Sequence, residues 1–114
     1  MKEDIIHQAK SVDLMQIIEK MSGNIFWKNK EGQFLGCNKN VLDLFHLSSQ
    51  ENIIGKTNFD IMPLHFAEAS EANDLKVIEA EKELVFEEEG VSLNSEKAIY
   101  LTRKAPLRNI YGEI

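Results

Sequence analysis

The chain has 114 residues, of which 43% are hydrophobic and 28% charged, and its formal net charge is −6. This composition is typical of a globular domain and excludes a disordered chain. The acidic balance argues against a nucleic-acid surface, because phosphate binding needs clustered Lys and Arg. No apolar run approaches the roughly 20 residues that span a bilayer, and the N-terminus lacks the apolar region of a secretory signal. Cys37 is the only cysteine, so an internal disulfide is excluded and a reducing, cytoplasmic location is expected.

The N-terminal segment Glu3–Met21 contains neither Gly nor Pro and predicts one amphipathic helix. Its apolar residues recur at steps of three and four and form one stripe: Ile5, Ala9, Val12, Met15, Ile18 and Met21. Two interpretations remain open. The helix packs on its own domain, or its stripe also pairs with a second copy as a short coiled coil.

The segment Asn24–Cys37 predicts a β-hairpin. Its first strand is rich in aromatic and β-branched residues, which suit a half-buried sheet. The sequence Asn29-Lys30-Glu31-Gly32 supplies the turn, because Asn bonds its own backbone and Gly accepts a positive φ. Asn38 follows the return strand and is placed to cap a helix over Lys39–Phe45.

The rest of the chain predicts short helices, one long helix and a second hairpin. We expect short helices near Gln50 and over Asn58–Met62, a long helix over His65–Glu81, and strands over Glu83–Val91 and Lys97–Ala105 joined by the loop Ser92–Glu96. Strands at both ends with helices between them indicate an α+β fold, an antiparallel sheet with helices on one face.

Several motifs resemble those of a PAS domain, in the form found in bacterial sensor histidine kinases. They are IFWKNKEGQFLGCNKNVLDLF, IIGKTNFDI, AND at Ala72–Asp74, KVIEAEKELVFEEE and YLTRKAPLRNIYGEI. The resemblance implies a PAS domain at residues 23–114, preceded at 1–22 by a flanking helix through which such domains dimerise. It also implies a five-stranded antiparallel sheet in the order 2-1-5-4-3.

The sequence ends where the family continues into its fifth, central strand. Residues Gly112-Glu113-Ile114 match the start of that strand. We therefore expect a truncated fifth strand and two hairpins with no ladder between them. The gap would be filled by partner exchange or left open, since unpaired strand edges are costly when buried.

The resemblance implies a sensory module, non-enzymatic by itself, of a multidomain bacterial signalling protein. A sensor histidine kinase is the first expectation for the parent protein, and a diguanylate cyclase or a transcription regulator is the alternative. Two hypotheses remain for the domain. It senses a small molecule in an inner pocket, or it is a ligandless dimerisation and relay module that acts through Glu3–Met21 and the outer sheet face.

The resemblance also places a set of side chains toward the inner pocket. Phe26, Leu35 and Cys37 are expected to face inward, and Ile25, Trp27 and Phe34 outward, where the N-terminal helix or a second subunit would cover them. The complete candidate ligand-binding set is Phe26, Leu35, Cys37, Phe45, Phe59, Met62, Phe66, Val77, Tyr100 and Thr102. The alternative is that these side chains only fill the core.

No metal, cofactor or catalytic site is expected. The three His are scattered, whereas zinc needs about four convergent ligands. His65 begins the long helix instead of lying within it as a haem ligand would, and Cys37 lies on a strand outside any Asn-Cys-Arg run of the flavin-binding type. Strand alternation separates Glu88 from Glu87 and Glu89, so we expect a solvated edge there. No nucleophile-and-base motif or glycine-rich phosphate loop occurs.

Overall fold

A computed structural model describes residues 1–92, 94 and 96–114. Its described elements follow the chain as two N-terminal helices, a hairpin, a group of short helices, a long helix and a second hairpin. They are α1 Lys2–Lys10, α2 Leu14–Lys20, β1 Phe26–Lys28, β2 Phe34–Cys37, α3 Lys39–Leu44, a 3₁₀ helix Gln50–Asn52, α4 Asn58–Ile61, α5 Leu64–Ala80, β3 Leu84–Val91 and β4 Lys97–Lys104. The predicted α+β class is confirmed. Within the predicted loop Ser92–Glu96, Leu93 and Ser95 lie outside the described residues.

The N-terminal segment is two helices, so the prediction of one continuous helix over Glu3–Met21 is wrong. The chain leaves α1 at Ser11, whose hydroxyl donates to the Gln8 carbonyl at 2.8 Å. Asp13 then caps α2, its carboxylate accepting from the Met15 backbone N–H at 2.9 Å. Short polar side chains that bond the local backbone interrupt helices in this way. Neither helix contains a buried residue.

The molecule is elongated. Its radius of gyration is 16.0 Å and its extents are 54 × 32 × 24 Å, compared with roughly 13 Å for a compact domain of this size. The link between α2 and the sheet-bearing part includes one hydrogen bond, from the Lys39 backbone N–H to the Glu19 carboxylate at 3.0 Å.

The first hairpin contains an irregularity that reverses the predicted orientation of two side chains. Phe26 pairs with Cys37 and Trp27 with Gly36, but Lys28 pairs with Phe34, so the register shifts between Trp27 and Lys28. Such a bulge places one extra residue on one strand and changes which face the next side chain occupies. Phe34 is consequently buried at 1% exposure, whereas Leu35 is 49% exposed. The prediction that Leu35 faces inward and Phe34 outward is wrong.

The core lies between this hairpin and the short helices. Its buried members are Phe34, Cys37, Val41, Leu42 and Ile53, and Phe26, Phe45, Leu47 and Ile61 pack against them. We call these nine residues the hairpin core. The predicted cap is confirmed, because the Asn38 side chain accepts from the Val41 backbone N–H that opens α3.

The outer edge of β2 is paired by groups that are not a strand. The Phe34 backbone N–H donates to the Lys56 carbonyl at 2.8 Å, and the Gly55 N–H donates to the Phe34 carbonyl at 2.8 Å. The Gln50 side-chain amide bonds both the N–H and the carbonyl of Cys37. This edge therefore does not offer free backbone groups at these positions.

The second hairpin packs against α5. It pairs regularly from Leu84 with Lys104 to Val91 with Lys97. Glu88 and Lys104 turn toward α5, while Glu87 and Leu101 turn outward. The alternation predicted for the three glutamates is confirmed, but Glu88 does not belong to a solvated edge, since its side chain is only 16% exposed.

Among the described residues, the two hairpins are separate two-stranded sheets with no ladder between them. The antiparallel pairing within each hairpin agrees with the PAS-like fold expected from the sequence. The full order 2-1-5-4-3 and the division at residue 23 stay predictions.

Candidate functional site

The structure brings some predicted pocket residues together and separates others. Cys37 and Val77 are buried, and Phe26, Phe45, Met62, Phe66, Tyr100 and Thr102 are half-buried. Of these, Phe26, Cys37 and Phe45 belong to the hairpin core. Leu35 and Phe59 are each 49% exposed and do not join the others. Their role in ligand binding stays a prediction.

Cys37 is inert in its environment. Its side chain has 0% exposure, and burial raises the pKa of the thiol to about 11, with the Glu19 carboxylate adding to the rise. A thiol with such a pKa is neutral near pH 7 and is a poor nucleophile. Cys37 therefore packs in the hairpin core as a small neutral side chain.

An open cleft of about 370 Å³ lies between the region around α3 and the second hairpin. Its lining is Asn24, Asn40, Asp43, Leu44, Ser92, Asn94 and Tyr100. Tyr100 is the predicted pocket residue that reaches it, and its hydroxyl donates to the Val91 carbonyl at 2.8 Å. The lining thus includes amide and carboxylate side chains and one apolar side chain, Leu44.

A group of buried charges, which the sequence reasoning missed, joins both hairpins to α5. Lys28 of β1 places its Nζ 2.7 Å from Asp74 Oδ2 and 2.7 Å from Asn58 Oδ1. The same ammonium lies 4.6 Å from the centre of the Phe34 ring and 5.2 Å from that of Phe26. The Lys28 cation is therefore held by two oxygens and by the faces of two aromatic rings.

Lys104 of β4 approaches the same carboxylate from the other hairpin. Its Nζ lies 2.6 Å from Asp74 Oδ1, 2.7 Å from Glu88 Oε2 and 3.2 Å from Ser70 Oγ. Asn73 adds a hydrogen bond from its Nδ2 to Glu88 Oε2 at 3.0 Å. We call Lys28, Asp74, Glu88 and Lys104 the charge cluster.

The charge cluster is largely buried and electrically balanced. It holds two ammonium groups and two carboxylates, and the four side chains are 7% to 21% exposed. Among the described residues, every buried side-chain nitrogen and oxygen has a hydrogen-bond partner. Buried charges require such pairing, because a lone charge in an apolar site is very costly.

Burial and pairing act in opposite directions on the two central groups. Burial lowers the pKa of Lys28, and the neighbouring Asp74 carboxylate offsets this only in part. Burial alone would raise the pKa of Asp74, but the ammonium groups of Lys28 and Lys104 outweigh it and hold that pKa below its usual value. Asp74 therefore stays ionised near neutral pH, between two cations.

The sequence carries only a weak signal for this cluster. Asp74 lies in the AND motif on α5, and Lys28 and Lys104 are the last residues of β1 and β4. A lysine on the inner face of a strand needs a carboxylate partner. The pairing itself requires knowledge of how the hairpins meet, which the sequence does not provide.

The described residues show no group of three or more His, Cys, Asp or Glu placed to hold a metal ion. No helix among them is long and apolar enough to cross a membrane.

The fold and the sequence together define the class of protein. A family model described as the PAS fold matches residues 18–114, so the chain belongs to the PAS fold family. No curated protein matches it.

Solved structures show the same fold. VqmA from Vibrio cholerae, in a complex with ligand and DNA, matches with a TM-score of 0.79 at 23% identity over 92% of this chain and 48% of that chain. A VqmA dimer without target DNA gives a TM-score of 0.76 at 23% identity over 90% of this chain and 48% of that chain. A PAS domain from Colwellia psychrerythraea gives 0.68 at 13% identity over 96% and 88% of the two chains. The chain thus spans about half the length of these VqmA chains.

Proposed function

We propose that this PAS domain is a sensory module that binds a neutral small molecule between its two hairpins and relays binding to an output domain. The charge cluster is the observation that carries the proposal. Ligand sites are mainly apolar with a few convergent polar groups. Here the Lys28 ammonium lies over the rings of Phe26 and Phe34 and pairs with Asp74, which also pairs with Lys104 of the other sheet.

The balance of the charge cluster favours a neutral ligand. Its two cations and two carboxylates already neutralise one another. A charged ligand would have to displace one member and leave its partner unpaired, which costs several kcal/mol in a buried site. A neutral molecule with a donor and an acceptor needs to displace no ion.

The class of the parent protein, and with it the output domain, is proposed from the comparisons and the resemblance. VqmA forms a complex with ligand and DNA, which supports a transcription regulator as the parent protein. The sensor histidine kinase, which is the first expectation from the sequence, becomes the alternative. In either case we propose that this domain is non-enzymatic, contains no haem, flavin or metal, and acts in the cytoplasm.

A ligandless dimerisation and relay module is the second candidate. The N-terminal helices expose apolar side chains that their own domain does not cover, among them Ile5 at 63%, Leu14 at 69% and Ile17 at 47%. The outer face of β4 adds Leu101 at 78%. A homodimer through α1, α2 and this face would bury them, and VqmA is described as a dimer.

Native mass spectrometry separates the two candidates. Freshly purified protein and its Lys28→Met variant are compared with a Lys30→Met control, whose lysine is exposed in the hairpin turn. A mass of a few hundred daltons above the denatured mass, retained by the control but lost in Lys28→Met, supports the sensory module. A dimer with no added mass supports the second candidate. A bare monomer contradicts both.

A further inference from the structure

The two hairpins belong to different packing units. The first hairpin contributes Phe26, Phe34 and Cys37 to the hairpin core. The second hairpin packs instead on α5, whose buried residues include Ser70 and Val77. Since no ladder joins the sheets among the described residues, the contact between these units depends on side chains.

Asp74 is the side chain on which both units converge. Its Oδ2 accepts from Lys28 of the first hairpin at 2.7 Å, and its Oδ1 accepts from Lys104 of the second at 2.6 Å. Asn58 of α4 donates to the Oδ2 oxygen at 3.3 Å. One carboxylate therefore bonds both hairpins from a third element, α5.

We propose that Asp74 is a latch that holds the two hairpins at a fixed separation. Without its carboxylate, Lys28 would lose this ion pair, while Lys104 would keep Glu88 as its partner. The buried Lys28 ammonium regains hydration only if water enters, and water enters if the hairpins move apart. The latch goes beyond the proposed function, because it operates with no ligand present.

Glu88 provides the contrast that makes the proposal specific. It also bonds Lys104, at 2.7 Å, and its side chain is as well buried as that of Asp74. However, Glu88 and Lys104 belong to paired strands of the same hairpin. Loss of the Glu88 charge disturbs the second hairpin without releasing the first.

The test measures the distance between the hairpins in the ligand-free protein. Spin labels are placed at exposed positions on each hairpin, Lys30→Cys and Leu101→Cys, and double electron–electron resonance is recorded. Because Cys37 is fully buried, it should not react with the spin label. A stoichiometry of two labels per chain verifies this. The labelled protein with the charge cluster unaltered should give one narrow distribution of distances between the two labels.

The Asp74→Asn variant should broaden this distribution and shift it to longer distances. Removal of one partner from a buried ion pair displaces an equilibrium on the order of 100-fold, which brings a minor open state into the detectable range. Glu88→Gln should keep the narrow distance, and so should Asp43→Asn, which removes an exposed carboxylate from α3.

A folded Asp74→Asn protein with the unaltered distance would overturn the latch, and so would equal broadening in Glu88→Gln. If Asp74→Asn does not fold, Lys28→Met decides. It frees the first hairpin while Asp74 stays paired with Lys104, and Met fills a similar volume. The latch predicts the same broadening in Lys28→Met, and a narrow distance there contradicts it. Ligand binding plays no part in these outcomes, so the latch and the proposed function can fail separately.

Discussion

Replacement of Asn38 by Ala should destabilise the domain more than any neighbouring polar substitution. The Asn38 side chain is 1% exposed. Its Oδ1 accepts from the backbone N–H groups of Ile25 at 3.2 Å and Val41 at 3.3 Å, and its Nδ2 donates to the Gly23 carbonyl at 2.8 Å. One amide thus joins the entry to β1, the end of β2 and the start of α3.

The expected loss follows from the groups left without partners. Removal of a helix cap costs about 1 kcal/mol, and an orphaned, partly buried N–H adds about 1–3 kcal/mol. The Gly23 carbonyl keeps a donor, because Asn40 Nδ2 also reaches it at 2.8 Å. The free energy of unfolding should therefore fall by about 2–4 kcal/mol. At roughly 4 °C per kcal/mol, the midpoint falls by about 8–16 °C.

Urea denaturation followed by far-UV circular dichroism measures this change, with Asn40→Ala as the control. Asn40 is exposed and donates to the same Gly23 carbonyl, so its loss should cost less than about 0.5 kcal/mol. Asn38→Asp retains an acceptor for the Ile25 and Val41 N–H groups and should be more stable than Asn38→Ala. Equal losses in Asn38→Ala and Asn40→Ala would refute the reasoning, because they would show that the buried acceptor adds nothing.

Two further changes probe the first hairpin and the charge cluster. In Gly36→Ala the new Cβ would lie 2.7 Å from Cε2 of Trp27. We therefore expect the free energy of unfolding to fall by about 1–3 kcal/mol and the Trp27 fluorescence spectrum to change. A variant with unchanged stability and spectrum would show that the ring moves aside freely. Because the folded-state pKa of Asp74 lies below its ordinary 3.8, its contribution to stability is present above about pH 4 and is lost as the pH falls through the lowered pKa. The melting temperature of the unsubstituted protein should thus fall more steeply below pH 4 than that of Asp74→Asn. If the melting temperatures of both proteins fall equally with pH, Asp74 does not contribute to the acid transition.

The sequence was sufficient where the signals were local. The turn at Asn29–Gly32, the cap at Asn38 and the two strands of the second hairpin each depend on a few neighbouring residues, and the structure confirms them. The long helix is also confirmed, at Leu64–Ala80 against the predicted His65–Glu81. Positive φ at Gly32 and the Asn29 side-chain bond to the Gln33 N–H illustrate how little context such a turn needs.

The errors arose where the outcome depends on contacts between distant residues. A strict two-residue alternation placed Leu35 inward, but the bulge beside Trp27 moved Phe34 into the core instead. The charge cluster joins Lys28 to Asp74, 46 residues further along the chain, and no periodic pattern indicates that pairing. The N-terminal helix was divided by Ser11 and Asp13, whose local hydrogen bonds compete with a continuous apolar stripe.

The two hairpins are joined through ion pairs to Asp74, and this affects how the domain can respond. Apolar contacts weaken gradually as area is exposed. An ion pair at 2.6–2.7 Å in a largely buried site weakens strongly once water raises the local dielectric. A ligand that excludes water from the charge cluster would strengthen the bonds of Asp74 to Lys28 and Lys104, and one that admits water would weaken them. The two hairpin arrangements would then bind ligand unequally, which is the condition for a population shift.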